Sequence, residues 1–200
     1  DHIGLIQTVF ITPYDIELAL GGSEERRKFI DLSLCQIDKS YLHNLSVYKK
    51  SLDQRNALLK NMQGRPIDPD LLDSFDAKLV PAGIQIHARR RDFVSKFTEY
   101  FIPIYQNLSQ GSEIPNIHYD SQLNEGHFGD LLHNNQRMDT LAQRTGIGVH
   151  KDDLQFGLGE FPLKKFGSQG QIKSFIIALK LAQYKYFQSI TNTNPILLLD

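Results

Sequence analysis

A chain of 200 residues with 22 lysines and arginines against 23 aspartates and glutamates carries a net charge of −1, which excludes a polycation that binds nucleic acid by composition alone. Its length supplies enough apolar material for one large domain or two small ones. No apolar run approaches the roughly 20 residues of a membrane-spanning helix, no charged-then-apolar leader is legible, and the single cysteine, Cys35, permits no internal disulfide and suits a reducing cytoplasm.

Residues 5–11 are apolar and rich in β-branched side chains and run into Thr12-Pro13, which predicts a buried strand stopped by proline. Gly21-Gly22-Ser23 then breaks the chain. Ser23 followed by Glu24 and Glu25 has the chemistry of a helix start, a hydroxyl cap with acids at the positive end of the dipole. Between Ile37 and Met62, the residues Tyr41, Leu45, Tyr48, Leu52, Leu59 and Met62 recur at steps of four and three, with Arg55 in the remaining seam position. That heptad spacing predicts a long helix lying lengthwise on another, ended by Gly64-Arg65-Pro66. An arginine in such a seam needs a carboxylate, and Asp73 or Asp76 is the predicted partner.

A second helical pattern runs from Asp70 to Leu108 through Leu71, Phe75, Leu79, Ala82, Ile86, Phe93, Phe97, Phe101 and Ile104. Pro81 and Pro103 are predicted to kink or divide it. Two such patterns in succession read as an antiparallel helical arm. Beyond Gly111 strand and helix signals alternate: a strand at 114–119, a helix at 124–143, one or two strands at 146–158, a helix from Ser168 to about Phe187, and a buried strand at Ile196–Leu199. The two ends of the chain are therefore α/β material flanking a helical insertion. A start at Asp1 rather than methionine, and a stop at Asp200 directly after an apolar strand, lead us to expect a piece of a longer protein.

The most specific segment is Phe166-Gly167-Ser168-Gln169-Gly170-Gln171-Ile172-Lys173, leading into an Ala/Leu-rich helix. The glycines permit close backbone approach, Ser168 can cap the helix, and the first helix amides present partial positive charge suited to a phosphate. Residue types alone leave a second reading open, an ordinary Gly/Ser turn before a core helix. The run Pro195-Ile196-Leu197-Leu198-Leu199-Asp200 reads either as a core strand with a turn aspartate or as a strand delivering a carboxylate to a Mg²⁺-nucleotide. In series, the two match the order of the signature motif and Walker B strand of ABC-type ATPase heads.

The sequence resembles the RecF family of DNA repair proteins along almost its whole length. The resemblance rests on Val9-Phe10 with Pro13 and Asp15, on Gly22-Ser23-Glu24-Glu25-Arg26-Arg27-Lys28-Phe29-Ile30-Asp31, and on Gln54-Arg55-Asn56 with Leu58-Leu59-Lys60. It continues through Arg144-Thr145-Gly146, Gly148-Val149-His150-Lys151-Asp152-Asp153, Gly167-Ser168-Gln169-Gly170-Gln171 and Leu179-Lys180-Leu181-Ala182. It implies an α/β fold, a partial ABC/SMC-type P-loop ATPase head with a long inserted antiparallel α-helical arm as a second lobe. Residues 1–30 and 113–200 would belong to the head, the latter carrying the signature helix and the Walker B strand, and 31–112 would form the arm. It further implies a cytoplasmic protein that binds ATP and Mg²⁺, forms an ATP-dependent homodimer at single-strand/double-strand DNA junctions, and helps load RecA with RecO and RecR. On this reading Ser168, Gln169, Gly170 and Gln171 face the nucleotide of a neighbouring copy, Asp200 is the first, catalytic Walker B position at the Mg²⁺, and Asp15 lies where related heads place a Q-loop.

The sequence also departs from that pattern. No G-x-x-x-x-G-K-[ST] occurs in it, nor does an acid after Asp200, a D-loop or a switch histidine. The expectation is a piece that begins after Walker A and stops inside Walker B, and that alone neither hydrolyses ATP nor binds it tightly. Val149 stands for the family's proline and Lys151 for its arginine, the latter losing a planar bidentate donor. The rival reading is a non-enzymatic helical interaction module of another SMC-like or ABC-type protein.

Other polar groups are weaker candidates. His150, Asp152 and Asp153 have the chemistry of hard-metal ligands, but neighbours on a strand point to opposite faces, so a structural or nucleotide-proximal polar cluster is expected. His127 and His133 stand six apart, the wrong spacing for shared ligation on a helix. Arg89, Arg90 and Arg91 with interleaved aromatics, and Arg26 with Arg27, are candidate DNA-binding residues; the alternative is a solvated helix face.

Overall fold

The computed structural model describes residues 4–62 and 69–200; the predicted helix end at Gly64-Arg65-Pro66 lies outside them. In chain order the elements are β1 (Thr8–Ile11), a 3-10 turn (Pro13–Ile16), α1 (Glu17–Leu20), α2 (Ser23–Cys35), α3 (Lys39–Asn61), α4 (Pro69–Leu108), β2 (Pro115–Asp120), α5 (Phe128–Ala142), β3 (Asp153–Leu158), β4 (Phe161–Pro162), α6 (Leu163–Phe166), α7 (Gln169–Thr191) and β5 (Ile196–Leu199), with further 3-10 turns at Gln122–Asn124 and Val149–Lys151. They form two compact units. The first comprises Asp1–Lys39, Arg91–Tyr119 and Asp153–Asp200, the second Ser40–Arg90 and Asp120–Asp152. These boundaries run differently from the contiguous segments 1–30, 31–112 and 113–200, because α4 contributes residues to both units.

The second unit is helical. Tyr41, Leu45, Tyr48, Leu52 and Leu59 of α3 are buried, as the heptad spacing predicts, together with Leu72, Leu79, Ala82 and Ile86 of α4 and Phe128 and Leu132 of α5. Hydrogen bonds join Arg55 to Asp76 and Tyr41 to Arg90. The two pairs run in opposite order along α3 and α4, so the helices are antiparallel in this unit. Gly83 permits α5 and α3 to pack closely on α4: a Cβ there would stand 2.4 Å from the Phe128 ring and 3.1 Å from the Tyr48 ring.

The first unit is organised around an aromatic core. Phe93, Phe97, Phe101 and Tyr105, on one stripe of α4, pack with Phe29 of α2, Phe156 of β3 and Phe175 and Tyr186 of α7, with ring centroids 4.7–6.4 Å apart. Its strands form a parallel pair, β1 with β5 in register Thr8↔Ile196 to Ile11↔Leu199, and a separate sheet in the order β2-β3-β4.

Two expectations are corrected. Pro81 and Pro103 do not divide α4, which runs unbroken for 40 residues. A mid-helix proline costs about 3 kcal/mol, but buried Leu79, Ala82 and Ile86 flank the first and buried Phe101 and Tyr105 the second, where a large apolar side chain such as Leu79, Ile86 or Phe101 contributes roughly 1.5–3 kcal/mol of burial. The strand Ile196–Leu199, expected buried, is exposed along its length, Leu199 by 73%, because among the described residues its sheet has only one other strand. The 146–158 segment contains a single strand, preceded by the 3-10 turn that holds His150 and Lys151.

Candidate functional site

The signature-like turn stands at the head of α7. Ser168 is the N-cap, and the segment forms a reciprocal capping box: Gln171 N–H donates to Ser168 Oγ (3.2 Å), and Ser168 N–H donates to Gln171 Oε1 (2.6 Å). Because Oγ accepts, the serine's own proton is left to donate outward. The amides of Gln169 and Gly170, the first two of the helix, have no intrahelical acceptor. Ser168, Gln169 and Gly170 are all exposed. Each glycine has a distinct reason: a Cβ on Gly167 would meet the Leu163 carbonyl oxygen at 2.7 Å, whereas one on the exposed Gly170 would meet only Ser168 Oγ, at 4.0 Å, so its absence leaves the turn bare for close approach. The geometry is that of a preformed anion-facing helix start.

Two residues that sequence reasoning missed support this turn. Gln171 Nε2 donates to Glu113 Oε1 at 2.6 Å, and the other Glu113 oxygen accepts from the Tyr105 hydroxyl. Tyr105 is fully buried against Phe101 and Phe175, and burial, reinforced by the Glu113 carboxylate, pushes its hydroxyl pKa up. Glu113 lies in the connection between α4 and β2, where no local sequence signal links it to residues 168–171.

Asp200 is exposed and closes the parallel pairing, its N–H donating to Ile11 O at 3.0 Å. It lines an open cavity of about 300 Å³ with Thr12, Ile16, Lys173, Ile176 and Ile177. Asp15 lies just after β1, but its carboxylate is engaged on both sides. One oxygen accepts from Thr12 N–H at 2.7 Å and the other pairs with buried Lys180 at 2.6 Å. Thr12, Pro13 and Ile16, which flank Asp15, and Lys173 of α7 line the cavity at Asp200, whereas Asp15 and Ser168 themselves do not.

Two candidate DNA-binding residues are corrected. Arg26 is buried, its guanidinium forked on Asp153 (2.7 and 2.9 Å) and donating to the carbonyls of Leu18 and Gly21. Arg90, 2% exposed, donates to Asp152 (2.7 Å), to the Val149 carbonyl and to the Tyr41 hydroxyl. Both guanidiniums are spent inside their own units and present no donor to a phosphate. Arg89 and Arg91 are exposed and Arg27 is half-buried.

The same bonds explain the 148–153 motif. Gly148 adopts φ +137°, and a Cβ there would stand 2.4 Å from the Tyr48 hydroxyl. His150 Nε2 faces the Thr145 carbonyl at 3.0 Å, so it carries a proton, and in the neutral ring Nδ1 accepts from the Tyr48 hydroxyl at 2.7 Å. Burial pushes the Tyr48 pKa up. With Asp152 on Arg90 and Asp153 on Arg26, the histidine and both carboxylates act as internal fasteners, and no group of three or more metal-ligating side chains occurs among the described residues. His127 precedes α5 and His133 is exposed on it.

Arg55 finds its predicted partner and another. Its Nε donates to Asp76 (2.8 Å), and its Nη1 to Asp139 (2.7 Å) and Thr145 Oγ1 (2.9 Å). Asn56 Oδ1 accepts from both the N–H and the hydroxyl of Thr145. The Arg-Asn and Arg-Thr-Gly blocks thus meet in one buried network, in which burial raises the Asp76 pKa against the opposing pull of Arg55.

No family model matches the chain. Among curated proteins it is 42% identical over 201 residues to the DNA replication and repair protein RecF of Phocaeicola vulgatus, covering all of this chain and 54% of that protein. It is likewise 42% identical to RecF of Flavobacterium johnsoniae, covering 56% of it. Among solved structures, the recombination mediator protein RecF with ATPrS in the RecFOR pathway superposes with a TM-score of 0.92 at 29% identity, over 99% of this chain and 56% of that one. The corresponding structure with ATP gives 0.89 at 30% identity. The chain therefore spans about half the length of the proteins it matches, and its α/β fold is the ABC-type ATPase fold of those structures over that half.

Proposed function

Because this chain belongs to the RecF family, we propose that it forms part of an ATP-binding protein of recombinational DNA repair, and that its share of the machinery is the nucleotide-facing turn at Ser168. The observation that carries this reading is the exposed capping box. It holds Ser168, Gln169, Gly170 and Gln171 in one shape, with a hydroxyl proton and two helix amides turned to solvent. Those donors suit a triphosphate. They are not among the residues that line the Asp200 cavity of the same copy, and on this reading the nucleotide is shared between two copies: one supplies the turn and the other Asp200. Asp200 offers a single exposed carboxylate, which fits Mg²⁺ only as the nucleotide's own cation, since that ion takes one or two carboxylates beside phosphate oxygens. ATP would supply the phosphoryl group and the dimer bridge; this chain's residues orient it and neutralise charge.

The same reading includes binding at single-strand/double-strand DNA junctions through basic residues such as the exposed Arg89 and Arg91 and the half-buried Arg27, action with RecO and RecR in loading RecA, a cytoplasmic location, and a helical second lobe drawn from 31–112. No described helix is long and apolar enough to cross a membrane. The test is Ser168→Arg in the full-length protein that carries this chain. The expected result is loss of ATP-dependent dimer in analytical ultracentrifugation with monomeric nucleotide binding intact; an undiminished dimer would overturn the assignment.

A further inference from the structure

Gln171 is an amide whose two ends could be exchanged without changing its shape, and the turn depends on which end faces Ser168. Its Oε1 must accept the Ser168 N–H, so its Nε2 needs an acceptor on the other side. Glu113 supplies that acceptor: an ionised carboxylate can only accept, and it accepts a hydrogen bond from Gln171 Nε2 on one oxygen and from the hydroxyl of buried Tyr105 on the other. Tyr105 is anchored in the aromatic core by Phe101 and Phe175, so the carboxylate is itself held from behind. Glu113 follows the end of α4, where Gln110 and Gly111 take positive φ and turn the chain toward β2. From these contacts we infer that Glu113 is a positioning residue for the proposed nucleotide-facing turn. Through Gln171 it fixes the direction of the Ser168 backbone and hydroxyl without touching the nucleotide. The inference rests on the functional reading above, which it deepens.

The test separates acceptance of a hydrogen bond from mere filling of space. In the full-length protein, Glu113→Leu keeps bulk and removes the acceptor, while Glu113→Gln keeps one acceptor oxygen for Gln171 and can turn its own amide toward the Tyr105 oxygen. Two readouts are taken: deuterium exchange of amides 168–171, and ATP-dependent dimerisation alongside ATP binding by the monomer. Loss of a hydrogen bond to a charged group predicts roughly tenfold or greater acceleration of Ser168 amide exchange and a similar weakening of the ATP dimer in Glu113→Leu. Monomeric ATP affinity should stay unchanged, and Glu113→Gln should restore most of both effects. Wild-type exchange and dimerisation in Glu113→Leu, or equal damage in the two variants, would overturn the role of Glu113. If Ser168→Arg leaves the dimer intact while Glu113→Leu still frees the Ser168 amide, the relay stands and the nucleotide reading alone falls.

Discussion

Replacing Arg55 with methionine probes the heart of the helical unit. The guanidinium and the Asp139 carboxylate are both fully buried, 2.7 Å apart, whereas Asp76 keeps 15% of its side chain exposed. Methionine fills most of the volume, so the main cost is electrostatic. Removing one member of a buried ion pair typically costs about 3–5 kcal/mol. Asp139 keeps two other donors, Asn135 Nδ2 and Gly146 N–H, and Asp76 can take up water, which places the expected loss near the lower end, about 3 kcal/mol. With an m-value on the order of 2 kcal/mol per molar urea, the midpoint should fall by about 1.5 M. Urea unfolding followed by far-UV circular dichroism at neutral pH measures it. Adding Asp139→Asn removes the stranded charge while leaving an oxygen for Gly146, so the double variant should regain more than half of the loss, a coupling that only interacting residues show. A single-variant loss below about 1 kcal/mol, or no recovery in the double variant, would refute the network as the unit's tie.

Two more outcomes follow from the same unit. Gly148→Ala forces a side chain into φ +137° against the Tyr48 hydroxyl; at about 1–3 kcal/mol for such strain, the melting temperature should drop by roughly 2–12 °C, and an unchanged melt would contradict the close approach. Asp76, whose pKa is raised by burial, binds more protons folded than unfolded, so its contribution to stability is full below the unfolded pKa and is lost as pH rises through the folded one. Asp76→Asn should therefore flatten the fall in urea midpoint just above the ordinary carboxylate range; identical slopes would show that Arg55 fully offsets burial, and a steeper fall that it outweighs burial.

Periodicity exposed the helices well: Tyr41, Leu45, Tyr48, Leu52 and Leu59 announce a seam and are buried as one, and the seam arginine pointed to Asp76. It did not announce Asp139 or Thr145, because a salt bridge to a residue 84 positions away leaves no local pattern. Prolines misled in α4, where propensity favours a break but apolar burial, aliphatic around Pro81 and aromatic around Pro103, prevails. The Ser168 turn was legible because a capping box is written in adjacent residues, while its support by Glu113 was not, since the two meet only after the chain has returned from β3. Basic residues misled most. Arg26 and Arg90 look like surface charges in a run of arginines and lysines, yet each sits opposite an aspartate of the 152–153 pair.

The serine turn takes its form from bonds within its own helix start and from one carboxylate behind it, all made before any ligand arrives. An anion reaching it need not order a loop, so little chain entropy is spent on arrival. Its capture should then follow a single exponential whose rate rises linearly with concentration, without the plateau that a slow rearrangement imposes.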